Sequence, residues 1–175
     1  MVSAAFLVSE RVQASMSGLN ALVRNLYALQ EERVEAYQLF DLGHQAYLRS
    51  SPNYDFIQYR QLVHEITQAF NRISKEVIQL KDRFHEEYDR PDLSEHVERV
   101  QEREREKLEL TAQLQLAKQN MLDHPGNETY QEEAQELKQR CCQTCFPGFT
   151  VSIKCSGIES MKLCPPAEQT YMFNR

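Results

Sequence analysis

The residues with the richest chemistry in this chain are its cysteines and two acid–histidine pairs. Neither set has the spacing that metal binding or catalysis demands. All five cysteines fall within the last 35 of 175 residues. Cys142, Cys145, Cys155 and Cys164 can be drawn as a four-thiolate zinc site. Structural zinc takes its ligands as two close pairs, whereas eight residues separate Cys155 from Cys164. A thioredoxin-type use of Cys142-Gln143-Thr144-Cys145 needs a helix opening beside a parallel sheet, and no sheet is expected here. Asp41–His44 and Asp82–His85 each set a carboxylate and an imidazole one helical turn apart. Two-metal bundles use Glu-x-x-His on two helices with an inward Glu from each of the others. The acids here are aspartates, and no matching glutamates stand out on later helices. Each histidine is therefore expected at the edge of a packed core. The five glycines are scattered singly, so no loop cradles phosphate, and no strand-to-helix context supports a nucleophile elbow. No enzyme, metal or cofactor is expected.

Tyrosines are the remaining feature. Tyr37, Tyr47, Tyr54 and Tyr59 crowd around one turn of the chain. Tyrosine combines a large apolar ring with a polar tip, which suits both helix packing and partner contacts. The expectation is packing, with the hydroxyls directed outward.

The elements that must position these groups are long amphipathic helices. Leu19, Leu22, Leu26, Leu29, Tyr37, Phe40, His44 and Tyr47 recur at helical spacing after a plausible cap at Ser17. Arg33-Val34 leaves a polar break in that stripe. Gly43 sits inside the helix at a cost of about 1 kcal/mol relative to Ala, which close approach of another helix would explain. Ser50-Ser51-Pro52-Asn53 ends the first helix, and Ser51 or Asn53 can cap the next. Phe56, Tyr59, Val63, Ile66, Phe70, Ile73, Val77, Leu80 and Phe84 then alternate gaps of three and four, the seam of a supercoiled helix pair. Leu62, Ala69 and Ile78 widen the stripe, so this helix should touch more than one neighbour. Pro91 opens a third helix to about Leu122, whose seam fades through a charge-rich stretch from 102 to 107 before Leu108 restores it. The whole segment 95–107 is dense in charge and is expected to be a solvated face, with Glu95–Arg99, Glu102–Arg105 and Glu104–Lys107 at neighbour spacing. A third proline break, His124-Pro125-Gly126-Asn127, precedes a short fourth helix to about Arg140. Short connections of this kind make successive helices antiparallel neighbours.

The fold expected is all-α: an antiparallel long-helix hairpin extended to an open three- or four-helix bundle. Residues 1–16 form a flexible leader, 17–140 the helical domain, and 141–175 a disordered Cys- and Pro-containing tail. Only 41% of residues are hydrophobic, 26% are charged, and Trp is absent, a balance suited to a slender bundle. The net charge of −6, with basic residues interleaved among acids, argues against direct nucleic-acid binding. The apolar run at residues 4–8 lacks the charged lead and length of a secretory signal, and no segment is long enough for a membrane span. The protein is therefore expected inside the cell, in nucleus or cytoplasm.

The run LQEERVEAYQLFDLGHQAYL, followed by YDFIQYRQLVHEITQAF, resembles the "required for excision" B-type domain family, named for an algal gene implicated in excision repair. The shared features are Gln30 to Val34, Tyr37, Phe40, Tyr47-Leu48 and the Ile66-Thr67-x-x-Phe70 core. They make the resemblance specific over about 29–80 and plausible through the third helix. It brings no catalytic residue and no cofactor. It implies a DNA-repair association; the acidic balance places the contact on protein partners or on self-association by helical faces, and the first hairpin, with Glu31, Arg33, Tyr37, Tyr47, Tyr54 and Arg60, is the expected recognition surface. A structural coiled-coil subunit unrelated to repair is the alternative. Family members continue in helical sequence where this chain turns to CCQTCFPGF, which points to an alternative exon or a retained intron read in frame.

Overall fold

The computed structural model describes residues 4–144, with side chains described at Gln13 and from Ser15 onward. Among the described residues four helices follow one another: α1 (Ala4–Arg49), α2 (Phe56–Glu86), α3 (Pro91–Asp123) and α4 (Glu128–Gln143). Consecutive helices pack as neighbours, while α1 and α3 touch over a shorter stretch. The fold is the expected all-α bundle. Its first helix is longer than expected, since α1 is already formed at Ala4 and passes Ser17 without a break. Residues 4–16, expected as part of a leader, therefore belong to α1.

Punctuation between helices follows the three prolines, with different caps. Asp55 caps α2 by accepting a hydrogen bond from the Gln58 backbone N–H at 3.1 Å, a role expected of Ser51 or Asn53. The Ser50 hydroxyl oxygen instead accepts from the Asp55 N–H at 3.0 Å, which ties the turn together. Pro91 occupies the first turn of α3, where its missing N–H costs nothing. Gly126, at φ 95°, makes the last reversal, and Asn127 caps α4 by accepting from the Thr129 N–H.

Three apolar clusters hold the helices. Leu22, Leu26 and Leu29 of α1 meet Ile73, Val77, Leu80 and Phe84 of α2 and Val97 of α3. Ala36, Tyr37 and Phe40 meet Ile66 and Phe70 further along. Leu110, Leu114 and Ala117 of α3 receive Ala134, Leu137 and Cys141 of α4. Each large apolar side chain so buried contributes about 1.5–3 kcal/mol. The predicted seam of α2 is thus buried within one chain from Ile66 to Phe84, whereas its first residue, Phe56, is exposed. Helix α4 continues to Gln143 and buries Cys141, so the helical domain extends past the boundary expected at 140. The tail from 145 onward lies outside the described residues.

Candidate functional site

Two polar layers cross the bundle, and together they contain most of the titratable side chains that the packing encloses. The first lies where the α1 stripe is broken. Arg33 is only 3% exposed. It donates to Gln101 Oε1 on α3 at 2.8 Å and to Gln30 Oε1 at 3.4 Å. Gln101 in turn donates to the Ser74 carbonyl of α2 at 3.3 Å, so the layer joins three helices. One turn on, the Tyr37 hydroxyl donates to the Glu104 carbonyl at 3.3 Å, its ring lies 4.7 Å from that of Phe70, and Lys107 Nζ sits over it at 4.4 Å.

Electrostatics follow from this enclosure. Burial pulls the Arg33 pKa down, against the opposing pull of Glu104 and Tyr37. Burial, then the Glu104 charge, pushes the Tyr37 phenol up. Among the described residues Gln30 Nε2 and Glu104 Oε2 are buried without a hydrogen-bond partner.

The second layer surrounds the α1–α2 turn. Tyr47 stacks on Tyr59 with centroids 4.4 Å apart and on Tyr54 at 4.8 Å. His44 is 2% exposed, beside Tyr59 at 5.7 Å. The Tyr59 hydroxyl donates to Gln115 Oε1 at 2.7 Å, and Gln115 Nε2 reaches the Phe40 carbonyl at 3.4 Å. Tyr54 donates to Asp123 at the end of α3. Burial, and secondarily Lys118, lowers the His44 pKa to about 4, while burial and Tyr47 raise that of Tyr59 to about 12.

These layers redistribute the residues singled out from the sequence. Of the six assigned to a recognition surface, Arg33, Tyr37 and Tyr47 are buried between helices. Glu31 and Arg60 are exposed and Tyr54 is partly covered. The tyrosines do pack the hairpin, but the hydroxyls of Tyr37, Tyr54 and Tyr59 turn to α3 rather than outward. Asp41 pairs with Lys118 at 3.7 Å and accepts from Gln45, leaving His44 Nδ1 buried without a hydrogen-bond partner among the described residues. Cys142 is exposed at the end of α4, and Cys145, Cys155 and Cys164 lie outside the described residues. Among the described residues no three His, Cys, Asp or Glu side chains converge as metal ligands, and no helix is long and apolar enough to cross a membrane.

The charge-rich stretch of α3 is a mixed face. Glu102, Arg103, Arg105 and Glu106 are exposed, while Gln101, Glu104 and Lys107 lean inward. Its ion pairs are Arg103–Glu106 and Arg105–Glu109 rather than the three expected. The buried layer could have been found from the sequence, because the break at Arg33 and the fading seam after Val100 are its two halves. Helices α1 and α3 run in the same direction, and the Arg33–Gln101 and Tyr37–Glu104 contacts set the two interruptions at the same level.

Comparison with known proteins gives this architecture a family. The family described as "DNA repair REX1-B" matches residues 21–118, which contain both polar layers except for Asp123. A "Required for excision 1-B domain-containing protein" of Mus musculus is 36% identical over 124 residues, 70% of each chain. One of the same name from Bos taurus is 39% identical over 98 residues, 56% of this chain and 54% of its own. No solved structure matches. With more than half of its length matched, this chain belongs to the DNA repair REX1-B family.

Proposed function

We propose that this chain is a non-enzymatic interaction module that serves DNA repair in the nucleus by holding protein partners on its helical faces. The observation that carries the reading is how the enclosed polar groups are used. Arg33 and Tyr59 spend their hydrogen bonds on side chains of neighbouring helices, and Tyr37 on the α3 backbone. Such networks fix helix register and rigidity. A site for general acid–base chemistry would instead aim groups of matched pKa into a cavity. Repair enters through family membership, and the net charge of −6 favours protein over nucleic acid as the contact.

The test joins two measurements. Cells lacking the protein should be sensitive to ultraviolet light, and the wild-type chain should restore survival. Proteins that co-purify with it should be repair factors, and the association should persist after nuclease treatment. Normal survival together with partners from unrelated assemblies would overturn the reading. A coiled-coil subunit of another complex is the less favoured alternative, because the α2 seam is already occupied by α1 and α3.

A further inference from the structure

Of the three residues that widen the α2 stripe, Leu62 packs onto α1 beside Gly43 and Ala69 is partly covered, but Ile78 is left 46% exposed. Ile78 opens onto a groove of about 490 Å³ between α2 and α3, floored by Arg33 and Tyr37 of α1. Phe70 and Leu108 add apolar wall, and Glu98, Glu102 and Glu104 line the α3 side. We propose that this groove docks a helix of a protein partner through a lysine or arginine flanked by apolar side chains. The proposal rests on the reading of the chain as an interaction module and specifies its partner's chemistry.

Charge decides the occupant. The two outer cations of the groove are already engaged, Lys81 with Asp82 at 3.7 Å and Arg105 with Glu109 at 3.1 Å. Arg33 directs its donors to Gln101 and Gln30. Glu98 and Glu102, both exposed, form no ion pair among the described residues, whereas the Glu104 carboxylate already acts on Arg33 and Tyr37. An exposed carboxylate with no ion-pair partner gains a charge-assisted hydrogen bond from an incoming ammonium or guanidinium. Glu98 and Glu102 stand one turn apart on the same ridge, so they can flank the arriving cation. Shape points to a helix. The α2 wall from 70 to 81 spans about 17 Å at 1.5 Å per residue, three turns of a groove between antiparallel helices with Phe70 and Ile78 set among Asn71, Ser74 and Lys81. The chain's net charge of −6 steers a basic segment toward it.

The experiment is site-specific photo-crosslinking of the full chain in cells. A photoreactive residue replaces Ile78 in one version and Leu42, exposed on α1, in another, and the cross-linked peptides are sequenced by mass spectrometry. From position 78 the expected product is a partner peptide with Lys or Arg within one helical turn of the linkage. Glu98→Gln with Glu102→Gln, both exposed, should lower that yield at least tenfold and leave the yield from position 42 unchanged. Linkage from 78 to a second copy, to this chain's own residues or to nucleic acid overturns the proposal. So does a yield indifferent to the two glutamates. Partners captured at 42 but not at 78 refute the groove and leave the interaction module standing, whereas no protein captured at either position refutes both.

Discussion

At the end of the bundle where α2 gives way to α3, the helices meet through Leu22, Leu26, Ile73, Val77, Phe84 and Val97. At the opposite end, where α1 turns into α2, they meet through His44, Tyr47, Tyr59 and Gln115. Apolar contact is non-directional and tolerates sliding. A tyrosine hydroxyl 2.7 Å from a glutamine carbonyl does not. The comparison teaches a division of labour: one end supplies most of the affinity between helices, and the polar end, with the Arg33 layer between, sets their register. The largest effect that tests this division is Phe84→Ala. Phe84 is 1% exposed, so its truncation should cost about 3–5 kcal/mol in urea unfolding. A loss below about 1 kcal/mol would mean that this end is not the main source of cohesion.

The polar end should reveal itself through pH. The native state holds His44 neutral with a pKa of about 4, whereas an unfolded histidine titrates near 6.5. Stability from this group is therefore full above pH 6.5, falls as the unfolded chain takes up a proton first, and levels off below 4. Linkage sets that loss on the order of 3 kcal/mol. Lys118 facing His44 from α3 enlarges the effect and Asp41 on its own helix reduces it. Unfolding measured between pH 7 and 5 should weaken for the wild type and stay nearly flat for His44→Gln. Parallel slopes in the two proteins would remove His44 as the cause. Arg33→Met is next in size. It leaves Gln101 Oε1 without its donor, and should cost about 1–3 kcal/mol. Adding Gln101→Leu should recover part of that loss, because it removes the unsatisfied Oε1 while Glu104 still lacks the Arg33 charge. A double variant as weak as the sum of the single ones would show that the layer is not a unit.

The helices and their order were legible because the apolar residues keep gaps of three and four and prolines mark the turns. The seam from Ile66 to Phe84 is buried as its spacing predicts. The candidate surface was less legible for a physical reason. A pattern of apolar positions assigns polar residues to solvent, yet Arg33, at the break in the α1 stripe, is among the most enclosed side chains, and His44, placed on that stripe at the edge of the core, lies fully inside it. Their burial depends on Gln101 and Gln115, more than sixty residues away, and on α3 lying across both. Tyr47, read both as packing the hairpin and as part of the recognition surface, does the first, because a tyrosine at a core position and one at an interface have the same sequence signature. The start of α1 was missed because Ser17 resembles a cap, and a cap residue can also sit within a continuous helix.

Gly43 offers the smallest effect and the finest test of how the two ends differ. A Cβ at this position would collide with Leu62 Cδ2 of α2, so the helices approach as closely here as the sequence allowed one to expect. Gly43→Ala should gain about 1 kcal/mol of helix propensity. Against that gain stands the displacement of a methyl at the free end of a partly covered leucine, a cost of similar size. The single variant should unfold within about 1 kcal/mol of the wild type. Combined with Leu62→Ala, the same substitution no longer meets the methyl, and the propensity gain should appear in full relative to Leu62→Ala alone. A double-mutant cycle in urea reads this as a coupling energy of about 1 kcal/mol between residues 43 and 62. If the two substitutions were additive, the spacing of α1 and α2 near the turn would be set by the stacked tyrosines rather than by the glycine.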